Sequence, residues 1–202
     1  MQRLLPTLLS FRLIRNILCA GMLLGGPAIA AFAADASKSL LPVFGTKGWI
    51  MQGKGMQGYD IRGWLPKDWI DKSSWAPVSA VYTQLNDAPA QDIGAVRIEV
   101  TKLHSHHLQM TTKGGAQPYK KGTTYVLSGW IRGQQDADLY AGFREDDEPH
   151  NYYAGQNLSA TAEWKRFSYE WTPEMNTTAW VMFSFHKVGS VDLAGITLEE
   201  KK

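Results

Sequence analysis

Five stretches of the chain alternate apolar and polar residues with a period of two. Val96, Ile98 and Val100 alternate with Arg97, Glu99 and Thr101. Tyr125, Leu127 and Ile131 alternate with Ser128, Trp130 and Arg132, and Leu139, Ala141 and Phe143 with Tyr140, Gly142 and Arg144. Phe167, Tyr169 and Trp171 alternate with Arg166, Ser168 and Glu170, and Val181, Phe183 and Phe185 with Trp180, Met182 and Ser184. A strand turns successive side chains to opposite faces, so each stretch predicts a strand with one apolar face for a core and one mixed face. Breaks rich in Gly, Pro and Lys separate the stretches at 113–115, 120–122, 148–149, 172–173 and 188–189. Residues 191–193 and 196–198 predict a closing strand interrupted at Gly195. No long segment has a helical period. The predicted architecture is therefore all-β: a β-sandwich jelly roll of two antiparallel sheets.

The first 33 residues follow another pattern. Arg3, Arg12 and Arg15 form a basic start without an acid, and residues 17–34 are apolar apart from Gly and Pro. Ala31-Phe32-Ala33 places small residues at the two positions a signal peptidase reads. Gly25-Gly26-Pro27 interrupts the apolar run, which favours cleavage over a retained anchor. The expected organisation is a signal peptide over 1–33, a linker over 34–41 and one β domain over 42–202. Export to the periplasm or beyond the cell follows, with no membrane contact after cleavage.

Composition and charge narrow the chemistry. The single cysteine, Cys19, lies in the signal segment, so the exported chain has no disulfide, thiolate nucleophile or cysteine metal site. Losing three arginines and no acid leaves 18 basic against 19 acidic residues, so no nucleic acid partner is expected. All eight tryptophans lie after residue 33, with eight tyrosines and seven phenylalanines in the chain. That is more ring surface than a core of this size calls for, and suggests a face that stacks on a ligand.

The order of several segments resembles a known family. Gly63-Trp64-Leu65-Pro66-Lys67-Asp68-Trp69 comes first, followed by 92–100, then 121–132, then Glu163-Trp164-Lys165-Arg166-Phe167-Ser168-Tyr169, and finally 189–198. This series resembles the carbohydrate-binding modules of the family four and nine type, β-jelly rolls often attached to glycoside hydrolases. The resemblance runs from about Trp64 to Leu198. It implies a carbohydrate ligand, a buried structural ring at Trp69, and a separate glycoside hydrolase or envelope protein as a possible partner. Two segments that hold a structural calcium in such modules depart from the pattern. The Asn…Phe-Glu opening is absent around 43–49, and Ala194 and Gly195 stand where acids are usual, with Asp192 out of register. No cofactor and no calcium ligand is assigned.

Sugar binding in water needs flat rings for the C–H face of a pyranose and polar groups for its hydroxyls. Period two turns Trp130, Tyr140 and Trp180 away from the core, and Arg132, Arg144 and His186 share their faces. If the strands share a sheet, the six line one surface. Trp64, Trp75, Tyr152 and Tyr153, with Trp49 and Tyr59, lie in loop-like sequence, the other usual place for a ligand. Trp164, Phe167, Tyr169 and Trp171 read as core. His104, His106 and His107 allow two metal ligands on one strand face but lack a near third; a solvated strand end accounts for them better. Glu145-Asp146-Asp147-Glu148 is an acidic turn rather than a spaced acid pair, and no hydrolase, phosphate-loop or zinc motif occurs. The sequence thus points to an exported, non-catalytic carbohydrate-binding protein. An envelope module of the same fold with a protein ligand is the alternative, followed by a small glycan-active enzyme.

Overall fold

The computed structural model describes residues 38–54, 56–134 and 137–202; the expected signal segment and residues 34–37 of the expected linker lie outside them. The described chain is built of strands, with no α-helix among the described residues. They are β1 (Gly48–Lys54), β2 (Asp60–Pro66), β3 (Trp69–Asp71), β4 (Val78–Leu85), β5 (Ala95–Leu103), β6 (Leu108–Thr112) and β7 (Gln117–Tyr119). There follow β8 (Tyr125–Gly133), β9 (Leu139–Glu145), β10 (Tyr152–Leu158), β11 (Lys165–Trp171), β12 (Thr177–Phe185) and β13 (Gly189–Glu200).

Seven strands form one sheet in the order β1-β2-β4-β5-β13-β8-β11, and β10-β9-β12-β6-β3 form the other, with β7 pairing β12. The expected two-sheet sandwich is found, with one departure from the expected antiparallel pairing. β2 and β4 run parallel, with Ile61, Arg62 and Gly63 opposite Ala80, Val81 and Tyr82. The reason is β3, which crosses to the other sheet between them and so lets the chain return in the same direction.

The apolar faces of the alternating strands meet between the sheets. Val96, Ile98 and Val100 from β5 and Leu127 and Ile131 from β8 are buried with Phe143 from β9 and Val181, Phe183 and Phe185 from β12. Trp69 is fully buried, as the resemblance implied, with its ring 4.9 Å from Phe44 and 6.3 Å from Phe183. Phe167 is buried, and Tyr169 and Trp171 pack against the core from β11. Trp164 is a correction to the expected core set. It precedes β11, is half-buried, donates its indole N–H to the Asp87 carbonyl at 2.9 Å, and lies under the Arg132 guanidinium.

The end of the expected linker is part of the domain. The Leu40 N–H donates to the Leu198 carbonyl at 2.7 Å, and Leu41 is buried in the core. Gly195 has φ +54° at the register shift of β13 against β8, which is the interruption expected there.

Candidate functional site

The ten residues singled out in the sequence do not share one surface. Trp130 and Arg132 lie on β8 of the seven-stranded sheet, whereas Tyr140, Arg144 and Trp180 lie on β9 and β12 of the six-stranded sheet. Alternation turned all five away from the core, but it cannot report which sheet a strand joins. The expectation of one surface therefore divides into two opposite ones.

On the six-stranded sheet the outward residues of β12 run Trp180, Met182, Ser184, then His186 just beyond the strand. Arg144 pairs with Trp180 across β9, Gly142 with Met182, and Tyr140 with Ser184. On the other flank β6 brings Thr111 beside Met182 and Gln109 beside Ser184. β10 adds Tyr152 opposite Arg144. Its hydroxyl lies 2.5 Å from Ser184 Oγ. Met182, Ser184, Gln109 and Thr111 are all buried although none faces the core, so longer side chains at the margins close over the floor.

Tyr140 is the ring this face presents. Gly142 and Gly155 stand opposite each other on β9 and β10. A Cβ on Gly155 would fall 2.5 Å from the Tyr140 hydroxyl and 2.6 Å from a ring carbon, and one on Gly142 would fall 3.0 Å from that ring. The tyrosine thus lies over two side-chain-free positions, half-exposed, and Tyr152 meets it edge-on at 4.7 Å between centroids. Burial raises the titration of both phenols, more than the Ser184 bond and Arg144 lower that of Tyr152.

Trp180 is not the open indole that its position in the alternation implies. It is only 9% exposed. Lys72 Nζ sits 3.4 Å above its ring, Gly115 lies beside its edge, where a Cβ would fall 3.7 Å from the ring, and its N–H donates to Asp146 Oδ1 at 2.5 Å. Burial lowers the Lys72 pKa; Asp146 opposes the shift and Arg144 adds to it.

The far end of the face is rich in nitrogen. His107 stacks on His186 at 4.9 Å with planes 6° apart, and its Nε2 lies 2.8 Å from Gln109 Nε2. Trp75, 41% exposed in the loop after β3, touches His106 and His107 edge-on. Burial, reinforced by His186, Arg144 and His106, depresses His107 to about 4. Two of the histidines considered for a metal are thus used in ring packing. Their signal in the sequence was their number, whereas Lys72 and Gln109 carried none.

The remaining residues lie elsewhere. Trp64 belongs to the core under β1: a Cβ on Gly48 would fall 2.3 Å from its ring. It is therefore not the loop aromatic its sequence context suggested. Tyr153 occupies the register shift between Tyr152 and Ala154, so it turns from the Tyr140 side and stacks on Trp171 at 6.0 Å. Trp130 is half-buried near Ile93 and Gly195. Arg132 is held by Asp192 Oδ2 at 2.8 Å and by Asp87 Oδ2 at 2.7 Å. Asp192 also accepts from Arg97 Nε at 2.8 Å and Nη2 at 3.0 Å. With two guanidinium groups on this carboxylate, a calcium ion does not fit there.

A family described as "Carbohydrate binding domain", of the four and nine type, matches residues 71–190, more than half of the chain. No curated protein matches the sequence. A solved family-four carbohydrate-binding module is 16% identical, with 66% of this chain and 86% of that one covered at a TM-score of 0.49. The enzymatically active domain of tailspike protein 4 from bacteriophage CBA120 is 15% identical, with 67% and 20% covered and a TM-score of 0.50. The N-terminal cellulose-binding domain of Cellulomonas fimi β-1,4-glucanase C is 13% identical, with 68% and 91% covered and a TM-score of 0.46. By its matched segment the chain belongs to the carbohydrate-binding domain family of the four and nine type.

Proposed function

We propose that the protein is an exported, non-catalytic carbohydrate-binding protein that holds a polysaccharide or oligosaccharide on the outer face of its six-stranded sheet. The observation that carries this reading is the Tyr140 ring laid over Gly142 and Gly155. The sheet backs the ring and fixes it before any ligand arrives, which lowers the entropy lost on binding. A pyranose stacked there has the half-buried Tyr152 beside it, edge-on to Tyr140, and Trp75 stands at the margin as a further ring. Family membership supports a carbohydrate ligand, and the basic-then-apolar first 33 residues support export. Among the described residues the face offers no pair of carboxyl groups set across from each other, which glycoside hydrolysis would require. A partner glycoside hydrolase or envelope protein would be a separate chain that this one delivers to, or retains at, the polysaccharide.

Retardation of the purified protein in gels containing plant, algal and bacterial polysaccharides tests the reading. At least one polymer should slow it, and Tyr140→Ala should weaken that binding about tenfold, from roughly 1–2 kcal/mol of ring contact. Equal retardation of Tyr140→Ala and the parent would remove the face from consideration.

A further inference from the structure

We infer that this face takes a glycan bearing anionic groups, carboxylate or sulfate, and that Arg144 pairs with them; the inference rests on the carbohydrate reading of the same face. Arg144 is half-buried, between Trp180 on one side and Tyr152 on the other. Its guanidinium makes no hydrogen bond or ion pair among the described residues. A guanidinium has five donors, and holding it partly out of water without an acceptor is costly. The arginines of the seven-stranded sheet are treated differently: Arg97 and Arg132 both bond Asp192, and Arg132 also bonds Asp87.

A second cation stands beside it. Lys72 Nζ rests on the Trp180 ring with no carboxylate at ion-pair distance among the described residues. Asp146, whose charge reaches Lys72, accepts from the Trp180 indole. Burial lowers both Lys72 and His107, and Arg144 adds to each shift, although at Lys72 Asp146 opposes it more strongly. A planar fork of donors matches a carboxylate or sulfate bidentately, and such a group projects from a sugar ring at its edge. Tyr140 and Arg144 are four residues apart on one strand, about 13 Å at 3.3 Å per residue. A ligand that stacks on the first and pairs with the second therefore contains more than one sugar.

Titration calorimetry of the purified full exported protein separates the possibilities. The probes are polygalacturonate, its fully methyl-esterified form, a sulfated galactan and a neutral β-glucan. The expected result is tighter binding of an anionic polymer than of the neutral ones, weakening as salt is added. Arg144→Gln should lower that affinity about tenfold or more, the scale of a charge-assisted hydrogen bond. Arg144→Lys should recover part of it, and the thermal midpoint should be unchanged because the side chain holds nothing else. The polygalacturonate and sulfated arms identify which anion is read. Equal binding of esterified and free polygalacturonate, or anionic binding untouched by Arg144→Gln, overturns the inference and leaves the carbohydrate reading standing. Binding of none of the four, together with no retardation by any polysaccharide in the wider gel screen, overturns both.

Discussion

The two outer faces of the sandwich carry the same residue types and use them differently. Each has an outward tryptophan and arginine from alternating strands: Trp130 with Arg132 on β8, Trp180 with Arg144 across β12 and β9. On the seven-stranded sheet the arginine is consumed by the fold. Arg132 bonds Asp192 and Asp87, and its guanidinium lies 4.4 Å above the Trp164 ring. On the six-stranded sheet Arg144 is left without a partner, and the rings are backed by glycine rather than tied by ion pairs. An outward polar residue is thus not evidence of a site until its bonds are counted. A face that has spent its donors on itself has none to offer a ligand.

The two faces differ most at their tryptophans. Trp180 is enclosed by Lys72, Gly115 and Asp146, so Trp180→Ala should cost about 2–4 kcal/mol of stability, the scale of truncating a buried large ring. It should also weaken sugar binding, by removing the floor beneath Lys72. Trp130→Ala, on the other sheet, should leave sugar binding within a factor of about two, the scatter expected of a site that does not touch the ligand. Urea midpoints and calorimetry on both variants check this. A strong binding loss in Trp130→Ala alone would exchange the roles of the two faces.

A smaller effect is expected at Asp192, which is 2% exposed and joins Arg97 to Arg132. Asp192→Ala leaves two guanidinium groups without their shared acceptor. Because Arg97 is nearly half exposed and can rehydrate, the loss should be about 2 kcal/mol, below the 3–5 kcal/mol typical of a fully buried pair. Binding of any glycan by the surviving folded protein should be unchanged. A stability loss under about 0.5 kcal/mol, the range of ordinary surface changes, would mean that this face is as unspent as the other.

Sequence reading went as far as local periodicity reaches. β5, β8, β9, β11 and β12 were legible because core residues recur at alternate positions in each sequence, even in β12, where the outward side chains are buried as well. β1, β2 and β10 were not. β1 is almost wholly exposed, β2 ends in three consecutive buried residues, and β10 carries a register shift with Gly, Gln and Asn in its second half. These departures from period two account for reading Trp49, Trp64, Tyr152 and Tyr153 as loop residues. Tyr140, Arg144, His186, Tyr152 and Trp75 do gather at one face, while Trp130, Arg132, Trp64 and Tyr153 do not. Sheet membership, the cover that Lys72 and Gly115 place on Trp180, and the partnering of Arg132 all depend on residues distant in sequence. No window of alternation contains them.

The smallest expected effect concerns acid, and it contrasts a group on the outer face of the six-stranded sheet with one between the sheets. Burial, reinforced by His186, Arg144 and His106, depresses His107 from 6.5 to about 4. Between those values the unfolded chain binds a proton that the folded chain refuses, so this residue makes stability rise with pH across that window. Asp71, on β3, accepts hydrogen bonds from Tyr82 Oη at 2.5 Å, Ser73 N at 2.7 Å and Ser73 Oγ at 3.1 Å. Burial nevertheless outweighs those bonds and raises its carboxyl from 3.8 to about 6. There the folded chain keeps a proton that the unfolded chain has lost, so Asp71 makes stability fall as pH rises from 3.8 to 6. The two slopes oppose each other between about pH 4 and 6, and the parent protein should be nearly insensitive to pH in that interval. Removing one group should uncover the other. His107→Gln should leave a protein that gains stability as pH drops from 6 to 4, and Asp71→Asn one that loses it. Urea midpoints at four pH values between 4 and 7 measure this directly. Parallel curves for the parent and both variants would show that neither group changes its proton affinity on folding.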